Sequence, residues 1–169
     1  RYEQLFRCEG TIRFSGQEHH FRGNGLRIRR TGFRAFAGFE GHCWQSAIFP
    51  SGKGFGFNVY PPRADGQPSY SEGFVLDADG TRTPARPVEV PWLHTLVTGG
   101  EAVPFVLETI DGRRVEIDGT TFVNVRSRGH PSLPDDFPIV QQAHAHYTWD
   151  GEQTTGMIER SSRPSVMTL

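Results

Sequence analysis

The chain has 169 residues, of which 36% are apolar and 12% aromatic, and its net charge is −1. That length and apolar content suit one domain with a core of its own, and the balanced charge argues against a general nucleic-acid or polyanion binder, which would carry a basic stripe. No apolar run reaches the roughly 18 residues of a membrane-spanning helix, and no secretory leader is recognisable.

Alternation with a period of two begins at once. "CEGTIRF" leads into Ser15-Gly16 and then "EHHFRG", which reads as a hairpin. "GNGLRIRRTGFR" follows. Arg27 and Arg29 share a strand face and could present two positive charges to a carboxylate or phosphate, although a solvated face is the simpler use of them. "GNG" is too short for a dinucleotide loop, and no helical pattern follows it. "FRAFAGF" sets Phe33, Phe36 and Phe39 among small residues, a candidate face for a partner.

"GHCWQSAIF" places His42, Trp44, Ser46 and Ile48 on one face and Cys43, Gln45, Ala47 and Phe49 on the other. Both faces are mostly apolar with a polar member, as in a strand buried on both sides. If the first face lined a barrel lumen, Trp44 and His42 would form a ligand wall.

"FGFNVYP" aligns Phe55, Phe57 and Val59, and "PSYSEGFVL" aligns Tyr70, Glu72, Phe74 and Leu76. A carboxylate among aromatic rings, here Glu72, suits a proton donor, and Glu159 beside Met157 has the same character. "VPFVLETI" and "RRVEIDG" give two more strands, and "RGHPSLPDDFP" is a loop. "QQAHAHYTWDGE" puts His144 and His146 two apart on one face with Gln142. His-x-His can hold two corners of a metal site, as in cupins, or form a polar stripe. Glu152 does not match the cupin spacing and no later histidine follows.

Asp65-Gly66, Asp79-Gly80, Asp111-Gly112 and Asp150-Gly151 mark tight turns. No stretch carries helical periodicity with caps. The expected fold is therefore all-β: about ten antiparallel strands in meander order, curled into a lipocalin-like barrel or a strongly curled sandwich that hides its edges. Residues 1–162 read as one domain and 163–169 as a loose polar tail. Cys8 and Cys43 are expected to be reduced, with the cytoplasm as the compartment.

Taken together, "GNGLRIRR", "GHCWQSAIFPSG", "PPRADGQPSYSEGFVLD" and "YTWDGEQTTGMIERS" resemble the C-terminal half of the lipocalin-like hydroxyneurosporene synthase (carotenoid hydratase) superfamily, which includes tocopherol cyclase and fungal Diels–Alderases. The resemblance runs from about residue 10 to residue 162 and is closest to an uncharacterised bacterial subgroup. It implies two β-domains side by side, an apolar cavity, and protonation, hydration, cyclisation or pericyclic chemistry on a terpenoid or polyketide substrate with no metal or redox cofactor. Many relatives carry Arg-Asp-His-Ser-Trp-Gly where this chain reads "RIRRTG". Arg27 is kept, so proton chemistry would fall to Glu72 or His42.

On that reading His42 and Glu72 move protons. Arg27, Arg29, Trp44, Gln45, Phe55, Phe57, Tyr70, His144 and His146 contact a hydrophobic ligand. The partner is a second copy or a separate N-terminal half. A non-catalytic carrier and a cupin-like metalloenzyme stand as alternatives.

Overall fold

The structure is a computed structural model describing residues 2–32, 38–67, 69–127 and 132–168. It holds ten strands: β1 Tyr2–Phe14, β2 Gln17–Arg29, β3 Gly41–Ile48, β4 Gly54–Val59, β5 Ser71–Leu76, β6 Arg82–Glu89, β7 Phe105–Thr109, β8 Arg114–Arg126, β9 Ile139–Trp149 and β10 Glu152–Ser162. Among the described residues the single helical element is a 3₁₀ turn at Pro164–Val166, and no helix is long and apolar enough to cross a membrane. β3 to β10 follow one another round a closed barrel in which β10 pairs with β3, while β1 and β2 form a separate two-stranded ribbon. Every pairing is antiparallel. The all-β meander read from the alternation is the fold observed.

The turns follow from the Asp-Gly signals. Gly66, Gly80, Gly112 and Gly151 all have positive φ, and at the β9–β10 turn Asp150 does too, at 48°. A two-residue turn with both residues in the left-handed region matches the twist of the flanking strands.

β6 carries two prolines, which usually exclude a strand from a sheet interior. Its two halves pair on opposite sides, Arg82–Pro84 with β5 and Ala85–Glu89 with β7, and the register shifts between Pro87 and Glu89. Neither proline therefore sits in a ladder that is complete on both sides.

Inward residues of the barrel form the core. Phe55 and Phe105 lie 4.8 Å apart, Phe57 and Phe105 5.0 Å, and Tyr147 meets Phe55 edge-on at 5.1 Å. Polar groups inside this core are paired. The Tyr147 hydroxyl donates to Gln45 Oε1 at 2.8 Å, and Gln45 Nε2 donates to the Cys43 sulfur at 3.4 Å. Arg160 is 1% exposed and reaches the Glu101 carboxylate, Gln141 Oε1 and the Pro91 carbonyl. It thereby clamps the segment after β6, whose Leu93 is itself buried, onto the barrel.

Described residues at the C-terminal end make hydrogen bonds to the rest of the chain. Arg163 and Ser165 bond to Asp136, and the Thr168 amide donates to the His94 carbonyl. Both cysteines are free thiols, Cys43 buried and Cys8 half-buried.

Candidate functional site

All of β3 is buried, but its two faces meet different partners. Cys43, Gln45 and Ala47 point into the core with Phe55 and Phe57, whereas His42, Trp44, Ser46 and Ile48 lie on the outside of the barrel. The β1–β2 ribbon covers that outer face. Arg7 donates to the Phe49 carbonyl at 2.8 Å and Asn24 to the Ile48 carbonyl at 3.1 Å. The Trp44 and His42 wall therefore faces a cleft between ribbon and barrel, and the lumen is occupied by the aromatic core.

Antiparallel register assembles that cleft. β10 sets Glu159 beside Trp44, Met157 beside Ser46 and Ser161 beside His42. β9 adds Gln142 beside Glu159 and His144 beside Met157. β8 brings Val125 beside Gln142 and Val123 beside His144, just after a bulge at Thr121/Val123. With Ile28 from the ribbon, these side chains enclose an open cleft of about 420 Å³. Its walls are apolar: Ile28, Trp44, Val123, Val125 and Met157.

The polar centre of the cleft is a chain of hydrogen bonds. Ser161 Oγ accepts from the His42 backbone amide at 3.0 Å and meets His42 Nδ1 at 2.7 Å. His42 Nε2 meets Glu159 Oε1 at 2.9 Å, and Gln142 Nε2 donates to Glu159 Oε2 at 2.7 Å. The hydrogen bond from His42 holds Glu159 below the usual carboxylate range, against the opposing cost of burial and with help from Gln142 and the Arg30 charge. An ionised carboxylate only accepts, so His42 carries its proton on Nε2 and donates it to Glu159. Ser161 is 2% exposed, so it orients the imidazole and is not placed to attack a substrate.

Of the other residues singled out from the sequence, His144 lines the cleft and the rest fall elsewhere. Glu72 and Tyr70 were expected on an enclosed aromatic wall. Val75 takes the inward position of β5, so Glu72 is exposed on the outer surface and accepts a hydrogen bond from the Tyr70 hydroxyl. Phe55, Phe57 and Gln45 are inward but packed into the core. Arg27 and Arg29 are exposed on the side of the ribbon away from the barrel, and Arg27 lies over the Tyr2 ring. Arg30, one residue past the strand, instead stacks on Trp44 with its guanidinium carbon 4.9 Å from the ring centroid.

His144 and His146 are exposed and lean on Phe122, with ring centroids 6.0 and 4.6 Å away. Among the described residues no group of three or more His, Cys, Asp or Glu is arranged to hold a metal. Phe33 and Phe36 lie outside the described residues. Phe39 packs edge-on against Tyr60 at 5.3 Å and near His42 and Phe137.

Sequence reasoning gave no role in the site to Ser161, Gln142 or Arg30, although it set Gln142 on the face of His144. Their partners are 14 to 119 residues away in sequence, and no local pattern marks such pairings.

A family described as a domain of unknown function (DUF7064) matches residues 1–164. No curated protein matches the sequence. Among solved structures, the fold is similar to that of a protein from Nitrosomonas europaea assigned as AttH, with a TM-score of 0.56, 15% identity and 94% of this chain covered. The match takes in 51% of that protein, so the chain spans about half its length.

Proposed function

The chain belongs to the DUF7064 family, and we propose that its barrel binds a hydrophobic small molecule, isoprenoid or polycyclic, in the outer cleft beside β3. The barrel fold is compatible with a lipocalin-like ligand-binding domain. The observation that carries the reading is one ionised, hydrogen-bonded carboxylate, Glu159, set in walls made of Ile28, Trp44, Val123, Val125 and Met157. Ligand sites combine apolar walls with a few placed polar groups in this way.

In the catalytic form of the reading, Glu159 takes a proton from the ligand or from a water added to it, and His42 stabilises the carboxylate between turnovers. Proton return gives isomerisation, hydration or cyclisation without a cofactor, in keeping with the resemblance to carotenoid hydratases. A carrier would use the same walls without the proton transfer. Conversion of bound ligand by the native protein, lost in Glu159→Gln with binding retained, separates the two.

The partner belongs to the same proposal. The ribbon face turned away from the barrel exposes Phe6, Ile12, Phe14 and Phe21, the last two at 71% and 45%. The Phe6 ring lies across Gly25, where a Cβ would meet it at 2.4 Å, which keeps this face flat. We assign a second β-domain to it, from another copy or from a separate N-terminal half, a reading supported by the double length of the Nitrosomonas protein.

The experiment for the ligand site is binding of an apolar fluorescent probe to Trp44→Ala and Trp149→Ala. Trp149 packs on Phe49 beneath Lys53 at the barrel end. Weakening by Trp44→Ala alone is expected, and equal effects in the two folded variants would reject the cleft.

A further inference from the structure

Resting on the ligand-binding reading of the cleft, we infer that its ligand carries an oxygen acceptor, a carbonyl or carboxylate, that receives hydrogen bonds from Trp44 Nε1 and Arg30. Trp44 is 7% exposed and its indole N–H is buried with no partner. Arg30 lies over the same ring, and its Nε and one terminal nitrogen are likewise buried without a hydrogen-bond partner. The Glu3 carboxylate stands 3.6 Å from that nitrogen, close enough to balance charge but beyond hydrogen-bond reach.

Orphan donors of this kind are costly, because each loses its water without a replacement. They persist where something other than the chain satisfies them, and here they gather on the residue that walls the cleft. Across the β3–β4 ladder from Trp44, Asn58 Oδ1 is an orphan acceptor. Donors at this spot outnumber it, which points to an oxygen acceptor as the complementary group.

Charge narrows the choice further. Glu3 already balances the Arg30 charge and Glu159 is an ionised carboxylate, so an uncharged carbonyl oxygen suits the site better than a carboxylate. Both share the acceptor oxygen, which is what the donors read. The ligand is thus an apolar body on Ile28, Val123, Val125 and Met157 with a polar head at Trp44 and Arg30.

The test is displacement of a bound apolar fluorescent probe by a twelve-carbon series differing only in its head: dodecanoate, methyl dodecanoate and dodecyltrimethylammonium. One satisfied donor is worth roughly a factor of ten, so dodecanoate or the ester should displace the probe at about tenfold lower concentration than the ammonium compound. Trp44→Phe keeps an aromatic wall but removes the N–H, and Arg30→Met removes the guanidinium but keeps a stacked chain. Each should lose the preference, read as the ratio of displacing concentrations within that variant, whatever its own affinity for the probe. Equal displacement by all three heads, tighter binding of the ammonium compound, or a preference that survives both substitutions overturns the inference while the ligand site stands. Failure of the folded wild-type protein to bind the probe at all overturns the ligand site, and the inference with it.

Discussion

Replacing Arg160 with methionine tests whether the barrel interior is a packed core. The guanidinium is 1% exposed and makes four hydrogen bonds, two of them to the Glu101 carboxylate. Methionine keeps most of the apolar stem and deletes all four. Gln141, itself 2% exposed, and the Pro91 carbonyl lose a donor, and Glu101 is left half-buried without its counter-charge. Removing one partner of a buried pair costs about 3–5 kcal/mol. Against a domain stability of roughly 5–15 kcal/mol that is a large share, and at this chain length it lowers Tm by about 6–20 °C. Thermal and urea unfolding followed by circular dichroism measure it. The paired substitution Arg160→Met with Glu101→Leu should recover part of the loss, because the stranded carboxylate goes too. If Arg160→Met costs less than about 1 kcal/mol, or if the double variant is no better than the single, the clamp is not buried as described and the interior is open to water.

One labelling experiment and two further substitutions probe other parts of the account. Burial pushes the Cys43 thiol up to about 12, so at about pH 8 a thiol reagent should label Cys8 alone in the native protein and both cysteines in urea; labelling of Cys43 in the native state would refute its place in the core. Glu159 is held below the usual carboxylate range by His42. Its contribution to stability is therefore present above about pH 4.3 and is lost as pH falls through its lowered folded value. Glu159→Gln should flatten that part of the stability–pH curve, and an unchanged curve would contradict the His42–Glu159 pairing. On the ribbon, Phe21→Asp should lower the mass found by light scattering if a second copy covers that face, whereas a monomer before and after substitution assigns the face to a different domain or to none.

Much of the fold is legible in the sequence, because alternation and Asp-Gly pairs are local signals. β3, β4, β5, β7, β8 and β9 fall where alternation predicts them. β6 is a strand that alternation does not reveal: Pro84 and Pro87 argue against it, and only the hand-over between two ladders accommodates them. The site is legible in part. The face shared by His42 and Trp44 is readable, but which side of the barrel it meets is not, since the ribbon buries the outer face of β3 as fully as the core buries the inner one. Glu159 carries a local hint in its apolar neighbours, yet its union with His42 depends on β10 closing onto β3 across 117 residues. Arg27 and Arg29 attract notice because they share a strand face, while Arg30 reaches Trp44 because the strand ends before it.

The central claim is that the ligand occupies the outer cleft beside β3. Val125 lines that cleft, is 60% exposed and packs against nothing in the core, so Val125→Trp fills the cleft without disturbing the barrel. Binding of an apolar fluorescent probe to this variant is the most direct measurement. The account predicts at least about a tenfold loss of affinity with Tm unchanged; unaltered binding by the folded variant would contradict it and return the ligand to another surface.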